Sequence, residues 1–153
     1  MDKDYYSEIS SGYNELYGEE QKAKFELIKK HIKFKPLVLD IGCGTGIVGV
    51  KAVGIDPSLG LLKEHPGLRV CAMAEELPFK DSTFSTIISL TALHHTDINK
   101  AIKEIERVAK PGATFVFTIL KKAKNFQEIA ERLKSKFDLK EIDQEKDLIL
   151  VKH

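Results

Sequence analysis

The 153-residue chain has no tryptophan, only two cysteines and only three arginines, at positions 69, 107 and 132. Two cysteines are too few for a disulfide framework, and Cys43 and Cys71 lack the close pairing of a zinc site. Among the five histidines only His94 and His95 are adjacent, and adjacency alone does not build a metal centre. A net charge of +1, with the two signs interspersed, gives no global field for nucleic acid or an anionic membrane. No apolar run approaches the roughly 18 residues needed to span a bilayer, and no signal-peptide pattern opens the chain. Membrane insertion is therefore not expected, and a cytoplasmic location is.

What is present is a pattern of alternating strands and helices. The period of Phe25, Ile28, His31 and Ile32 predicts an amphipathic helix from about Glu19 toward Pro36. Leu37–Leu39 reads as a strand buried on both faces, as in a parallel sheet. A short strand over 53–56 ending in an acid, a short helix over 58–64 and a strand over 68–72 follow. Next come a strand Phe84–Leu90, a helix Ile98–Ala109 stopped by Pro111-Gly112, a strand Ala113–Leu120 and a helix Phe126–Phe137. Residues 137–142 and 148–151, joined by a polar turn, predict a terminal hairpin. The order implies one α/β domain with a doubly wound, mostly parallel seven-stranded sheet ending in an antiparallel pair. The path from Gly46 to Val53 leaves room for one or two helical turns, less than the usual crossover.

The richest stretch is Leu37-Val-Leu-Asp-Ile-Gly-Cys-Gly-Thr-Gly46, a buried strand, an acid and three glycines at alternate positions. Glycine allows positive φ and close approach of backbone to a ligand, and such a turn at the carboxyl end of a parallel strand is a nucleotide site. Two registers compete. Gly44-Thr-Gly46-Ile-Val-Gly49 fits the dinucleotide fingerprint of NAD(P) oxidoreductases, but the next strand-end acid, Asp56, comes too early for it. The other register is Asp40-Ile-Gly42-Cys-Gly44-Thr-Gly46.

In that register the chain resembles the class I, Rossmann-like S-adenosylmethionine (SAM) methyltransferases, in particular the group related to the ubiquinone and menaquinone pathway enzymes. Four segments carry the resemblance, in order over about residues 36–120. They are the glycine turn, Val53-Gly-Ile-Asp56-Pro57, Cys71-Ala-Met73-Ala74-Glu75-Glu-Leu-Pro-Phe, and Phe84–His95 with its Ser89-x-x-x-Leu93-His94-His95 run. Lys110-Pro-Gly-Ala113 resembles the turn before the family's fifth strand. The resemblance implies cofactor contacts from Asp40, Gly42, Cys43, Gly44, Gly46, Asp56, Pro57, Met73, Ala74, Glu75 and Leu90. Asp40 would help hold the amino acid end of SAM, and Asp56 would accept from both ribose hydroxyls. Asp56 can also be read as the cap of a helix opening at Pro57. Met73 stands where the family commonly has an acid facing the adenine amino group, so Glu75 is the substitute acceptor considered, with a solvated turn as the alternative.

Residues 1–35 would form an N-terminal lid and helix, with Tyr5 or Tyr13 near the cofactor carboxylate or else packed on the sheet edge, and 36–153 the core. His95 would contact the acceptor or act as base; the other reading has both histidines packing within their loop. Only five residues separate Leu120 from Phe126, leaving no substrate cap and an open cleft. Such a cleft suits tRNA or a protein as acceptor, or completion by a small activator subunit or a second copy; a small-molecule acceptor stays open. A SAM-binding scaffold subunit without turnover is the alternative to an enzyme.

Overall fold

The computed structural model describes residues 10–44 and 51–152, with Ser10–Gly18 as backbone path alone. The elements are α1 (Ser10–Lys29), β1 (Val38–Ile41), β2 (Val53–Asp56), α2 (Leu59–Leu62), β3 (Arg69–Cys71), β4 (Phe84–Leu90), a 3-10 turn (Leu93–His95), α3 (Ile98–Val108), β5 (Ala109–Leu120), α4 (Phe126–Lys136), β6 (Lys140–Asp143) and β7 (Asp147–Lys152). The strands form one seven-stranded sheet in the order β3-β2-β1-β4-β5-β7-β6. β1 to β5 run parallel, whereas β7 is antiparallel to both β5 and β6. This is the doubly wound sheet with a terminal hairpin that the alternation of elements predicts.

Alternation along the strands divides the core in two. Val38, Ile88, Leu90, Val116, Ile149 and Val151 pack under Phe25 and Ile28 of α1 and Ile32 just beyond it. Leu39, Ile87, Phe115, Phe117 and Leu150 pack on the other face with Ile102 and Ile105 of α3 and Ile129 and Leu133 of α4. Burial on both faces explains the near-continuous apolar reading of β1, β4 and β5. At one end of the sheet β3 is an edge strand with all three residues exposed.

Several boundaries differ from the sequence reading, each for a local reason. α1 begins at Ser10, not near Glu19. Its nucleus lies in good helix formers downstream, and adding turns to an existing helix is far easier than starting one. His31 is exposed and does not belong to the buried stripe. β1 starts at Val38, since Leu37 is largely exposed. α3 ends at Val108, and Ala109 already takes extended dihedrals. Lys110-Pro111-Gly112 is a bulge inside β5 and not a separate turn, because the register jumps from Phe84↔Ala109 to Thr86↔Thr114. Gly112 supplies the positive φ of +75° that the bulge needs, and proline is tolerated there because its missing N–H takes no ladder bond.

Candidate functional site

The strand order reverses between β1 and β4, so their carboxyl ends flank the crevice where open α/β sheets take ligands. After β1 the chain turns at Gly42 and Gly44, with φ of +74° and +56°. The amides of Gly42 and Cys43 both donate to the Ile55 carbonyl, at 2.8 and 3.0 Å. A Cβ on Gly42 would lie 2.4 Å from the Ala92 Cβ, so the loop after β4 closes directly onto the turn. Cys43 is buried as a packing residue, and burial raises its thiol pKa far above the ordinary range. Its sulfur fills the space above Gly54, where a Cβ would meet Sγ at 2.5 Å.

Two acids converge here. Asp56, at the end of β2, accepts from the Gly44 amide at 2.9 Å through one carboxylate oxygen and from the Ser58 amide at 2.8 Å through the other. It therefore splints the glycine turn to the β2 end. It does not cap a helix opening at Pro57: α2 starts at Leu59, and the cap is Ser58, whose hydroxyl accepts from Leu61 N at 3.3 Å. Pro57 is exposed between the two. Burial raises the Asp56 pKa, and the two amide bonds oppose that rise. Asp40 is 4% exposed. Burial, and then the neighbouring Asp56 charge, push its carboxyl up to about 7. Two buried acids thus lie at the glycine turn, Asp56 bonded to it and Asp40 close enough to Asp56 to feel its charge.

The third segment is held from below. Arg107 of α3 donates to the carbonyls of Phe79 (2.7 Å) and Leu77 (2.9 Å) and to the Asp81 carboxylate (2.9 Å). It also pairs with Glu104, which accepts from Leu77 N. Ala74 is buried, and Met73 is half exposed and bridges backbone to Glu76. Glu75 directs one carboxylate oxygen to the amide of Asp97, the residue that caps α3, at 3.1 Å.

β4 delivers Leu90, buried, and Ser89, whose hydroxyl donates to the Ile41 carbonyl at 2.9 Å. The following turn carries His94 and His95, with ring centroids 3.9 Å apart. Asn125 Nδ2 donates to the His94 carbonyl at 3.1 Å. The His95 ring stands at the surface, and partial desolvation and the neighbouring His94 push its pKa down to about 4. It is neutral at pH 7 and a weak base. Gly46 and the side chains of Tyr5 and Tyr13 lie outside the described residues, as does the 45–50 part of the shortened path after the turn; of Tyr13 only the backbone is described, within α1. No group of three metal-ligating side chains occurs among the described residues, and no helix among them is long and apolar enough to cross a membrane.

A cluster not anticipated from the sequence joins α1 to this loop. Lys24 Nζ lies 3.0 Å from Asp147 Oδ2 and 2.7 Å from Thr91 Oγ1, with both charges buried. The sequence carries one signal for it: Lys24 falls a turn before Ile28, on the helix face that also carries Phe25 and the buried Gln21.

Comparison with known proteins agrees with this geometry. A Methanocaldococcus jannaschii protein described as uncharacterized is 39% identical over 127 residues, 76% of this chain and 51% of its own length. The chain thus spans about half the length of these curated relatives it matches. By fold it matches a Methanococcus maripaludis structure described as a putative S-adenosylmethionine-dependent methyltransferase. That match has a TM-score of 0.77 at 15% identity and covers 98% of this chain and 92% of the other. A Haloferax volcanii putative methyltransferase in complex with the Trm112 methyltransferase activator matches with a TM-score of 0.73 at 17% identity, covering 97% and 93%. The family described as "Methyltransferase domain" matches residues 39–117, more than half of the chain. These residues contain the glycine turn, both acids and the His94-His95 loop, and the family's cofactor is SAM rather than NAD(P). The chain belongs to the methyltransferase domain family of SAM-dependent, Rossmann-like proteins.

Proposed function

We propose that this domain transfers the methyl group of SAM to an electron-rich atom of a macromolecular acceptor, tRNA or protein, and that it works with a partner subunit. The observation that carries the cofactor part is Asp40 and Asp56 facing a turn whose glycines adopt positive φ, at the point where the strand order reverses. Asp40 would neutralise the ammonium of the amino acid end. Asp56, its carboxylate already aligned by two backbone amides, would receive the ribose hydroxyls. The backbone of Gly42 to Gly44 would lie along the methionine portion, with Leu90 and Ala74 forming apolar walls. Bound there, SAM supplies a methyl on a positively charged sulfur, displaced in line by the acceptor atom.

The protein's part is chiefly positioning, which holds the acceptor about 3 Å from the methyl. His95, neutral at pH 7, fits a role as acceptor contact better than as strong base. For the acceptor, the short 121–125 connection after β5 leaves the cleft uncapped on that side, and a fold neighbour is complexed with an activator.

Calorimetry with SAM, its demethylated product and NAD(P) tests the cofactor. SAM and the demethylated product should bind, and Asp56→Ala should weaken both at least tenfold; NAD(P) binding without SAM affinity would end this reading. Radiolabelled methyl transfer to the RNA, protein and lipid fractions of the source cells tests the acceptor. Label in lipid alone would refute the macromolecular choice. The second reading, a SAM-binding subunit without turnover, is favoured by Met73, which stands half exposed where the family commonly has an acid. Tight SAM binding with no labelled product in any fraction, with or without co-purifying protein, would establish it.

A further inference from the structure

Thr91, the first residue after β4, has a φ of +56°. Left-handed backbone is rare outside glycine, asparagine and aspartate, and for a β-branched residue it is an outlier held in place by its surroundings. Those surroundings are unusually complete. The Thr91 hydroxyl lies 2.7 Å from Lys24 Nζ, 3.2 Å from Asp147 Oδ1 and 3.0 Å from the Thr118 hydroxyl. The Thr91 amide donates to the Thr118 carbonyl at 3.0 Å. Lys24 and Asp147 form a buried ion pair, and Thr118 is fully buried. α1, β5 and β7 thus each send one polar side chain to a single hydroxyl at the carboxyl end of β4. A buried ion pair adds little net stability by itself, so its retention here calls for another explanation.

The next residue supplies it. Ala92 presses onto the glycine turn at the site where any Cβ on Gly42 would collide, and Leu93–His95 follows as a single 3-10 turn. The direction in which the chain leaves Thr91 decides both contacts.

We propose that Lys24, Asp147 and Thr118 are positioning residues that hold Thr91 left-handed through its hydroxyl, seating Ala92 against Gly42 and setting the His94-His95 turn beside the cofactor turn. The N-terminal helix is thereby part of the methyl-transfer site although it belongs to none of the family's glycine or acid segments. The proposal rests on the SAM reading for its functional meaning but not for its test.

Two substitutions at one position separate clamp from filler. Thr91→Val keeps the β-branch and removes the hydroxyl; Thr91→Gly removes both, and glycine takes positive φ unaided. In histidine-labelled protein, Thr91→Val should shift or broaden the His94 and His95 ring resonances and raise the SAM dissociation constant at least tenfold. Thr91→Gly should leave the resonances in place and the affinity within twofold. Equal effects of the two substitutions, whether both silent or both damaging, would overturn the proposal. Should Thr91→Val fail to fold, Thr118→Val is compared in the wild-type and Thr91→Gly backgrounds. The clamp requires the resonance changes in the first and none in the second, and identical changes in both would refute it. A wild-type protein that binds no SAM would refute the cofactor reading alone, and the histidine resonances, recorded without cofactor, would still decide the clamp.

Discussion

Replacing Asp40 by asparagine should make the protein more stable and a worse cofactor binder, with both effects governed by pH. The carboxyl is buried, and its pKa stands at about 7 against an ordinary 3.8. A raised carboxyl pKa means that the folded protein holds its proton more tightly than the unfolded chain. Stability is therefore highest in acid and is lost as pH climbs from about 4 to about 7, levelling off above. Each pH unit in that window carries about 1.4 kcal/mol, so from pH 5 to pH 8 wild type should lose up to about 3 kcal/mol through this one group. Asparagine is neutral throughout and escapes the loss. The quantity to measure is the gap in unfolding free energy between Asp40→Asn and wild type, by urea denaturation at pH 5 and pH 8. The gap should move in favour of the variant by about 2–3 kcal/mol. Taking the difference cancels the histidines and the distant acids, and leaves Asp40 with its coupling to Asp56. A SAM ammonium next to Asp40 would hold it ionised, so wild-type affinity should fall as pH drops below 7, by up to about tenfold per unit. The variant should bind weakly with no such slope. A stability gap independent of pH would refute the claim that Asp40 is an uncompensated buried charge.

Gly42→Ala places a Cβ 2.4 Å from Ala92 Cβ on backbone at φ +74°. The left-handed backbone costs about 1–2 kcal/mol and the overlap about 1–3 kcal/mol, both readable by urea denaturation. Adding Ala92→Gly should restore the overlap part and leave the backbone part, and full restoration would contradict the conformational argument. Arg107→Met removes the donor that ties Leu77, Phe79 and Asp81 to α3. It should lower stability by about 1–3 kcal/mol and speed amide exchange in residues 77–81. Unchanged exchange there would show that the segment is held by other means.

Legibility in the sequence followed the range of the interactions. β1, the glycine turn and the two acids were readable because each is a local pattern: apolar residues, then an acid, then residues able to take positive φ. The three predicted helices after β2 survived with shifts of a few residues at their ends, since periodicity and caps act within a turn. Pro111-Gly112 misled because the same dipeptide that stops a helix also serves a bulge. Which role it plays depends on pairing with Phe84 and Thr86, far earlier in the chain. Asp56 as helix cap failed for a similar reason. Ser58 lies two residues on and can cap as well, while Asp56 is drawn to Gly44, across from it in the neighbouring strand's turn. The Lys24–Asp147 pair lies wholly outside local reasoning, its members far apart in the chain. Only the misplaced polarity of Lys24 on its helix betrayed it.

The hydrogen bonding of the glycine turn also has a kinetic meaning. Gly42, Cys43 and Gly44 each give their amide proton to β2, the first two to the Ile55 carbonyl and the third to the Asp56 carboxylate. Those protons should exchange with deuterated solvent as slowly as sheet protons, before any cofactor arrives. Loading with SAM should hardly slow them further, since the frame is already set. Cofactor association at Gly42 to Gly44 is then docking onto a finished surface, and the rate of binding there will report diffusion and the approach path rather than the folding of that segment.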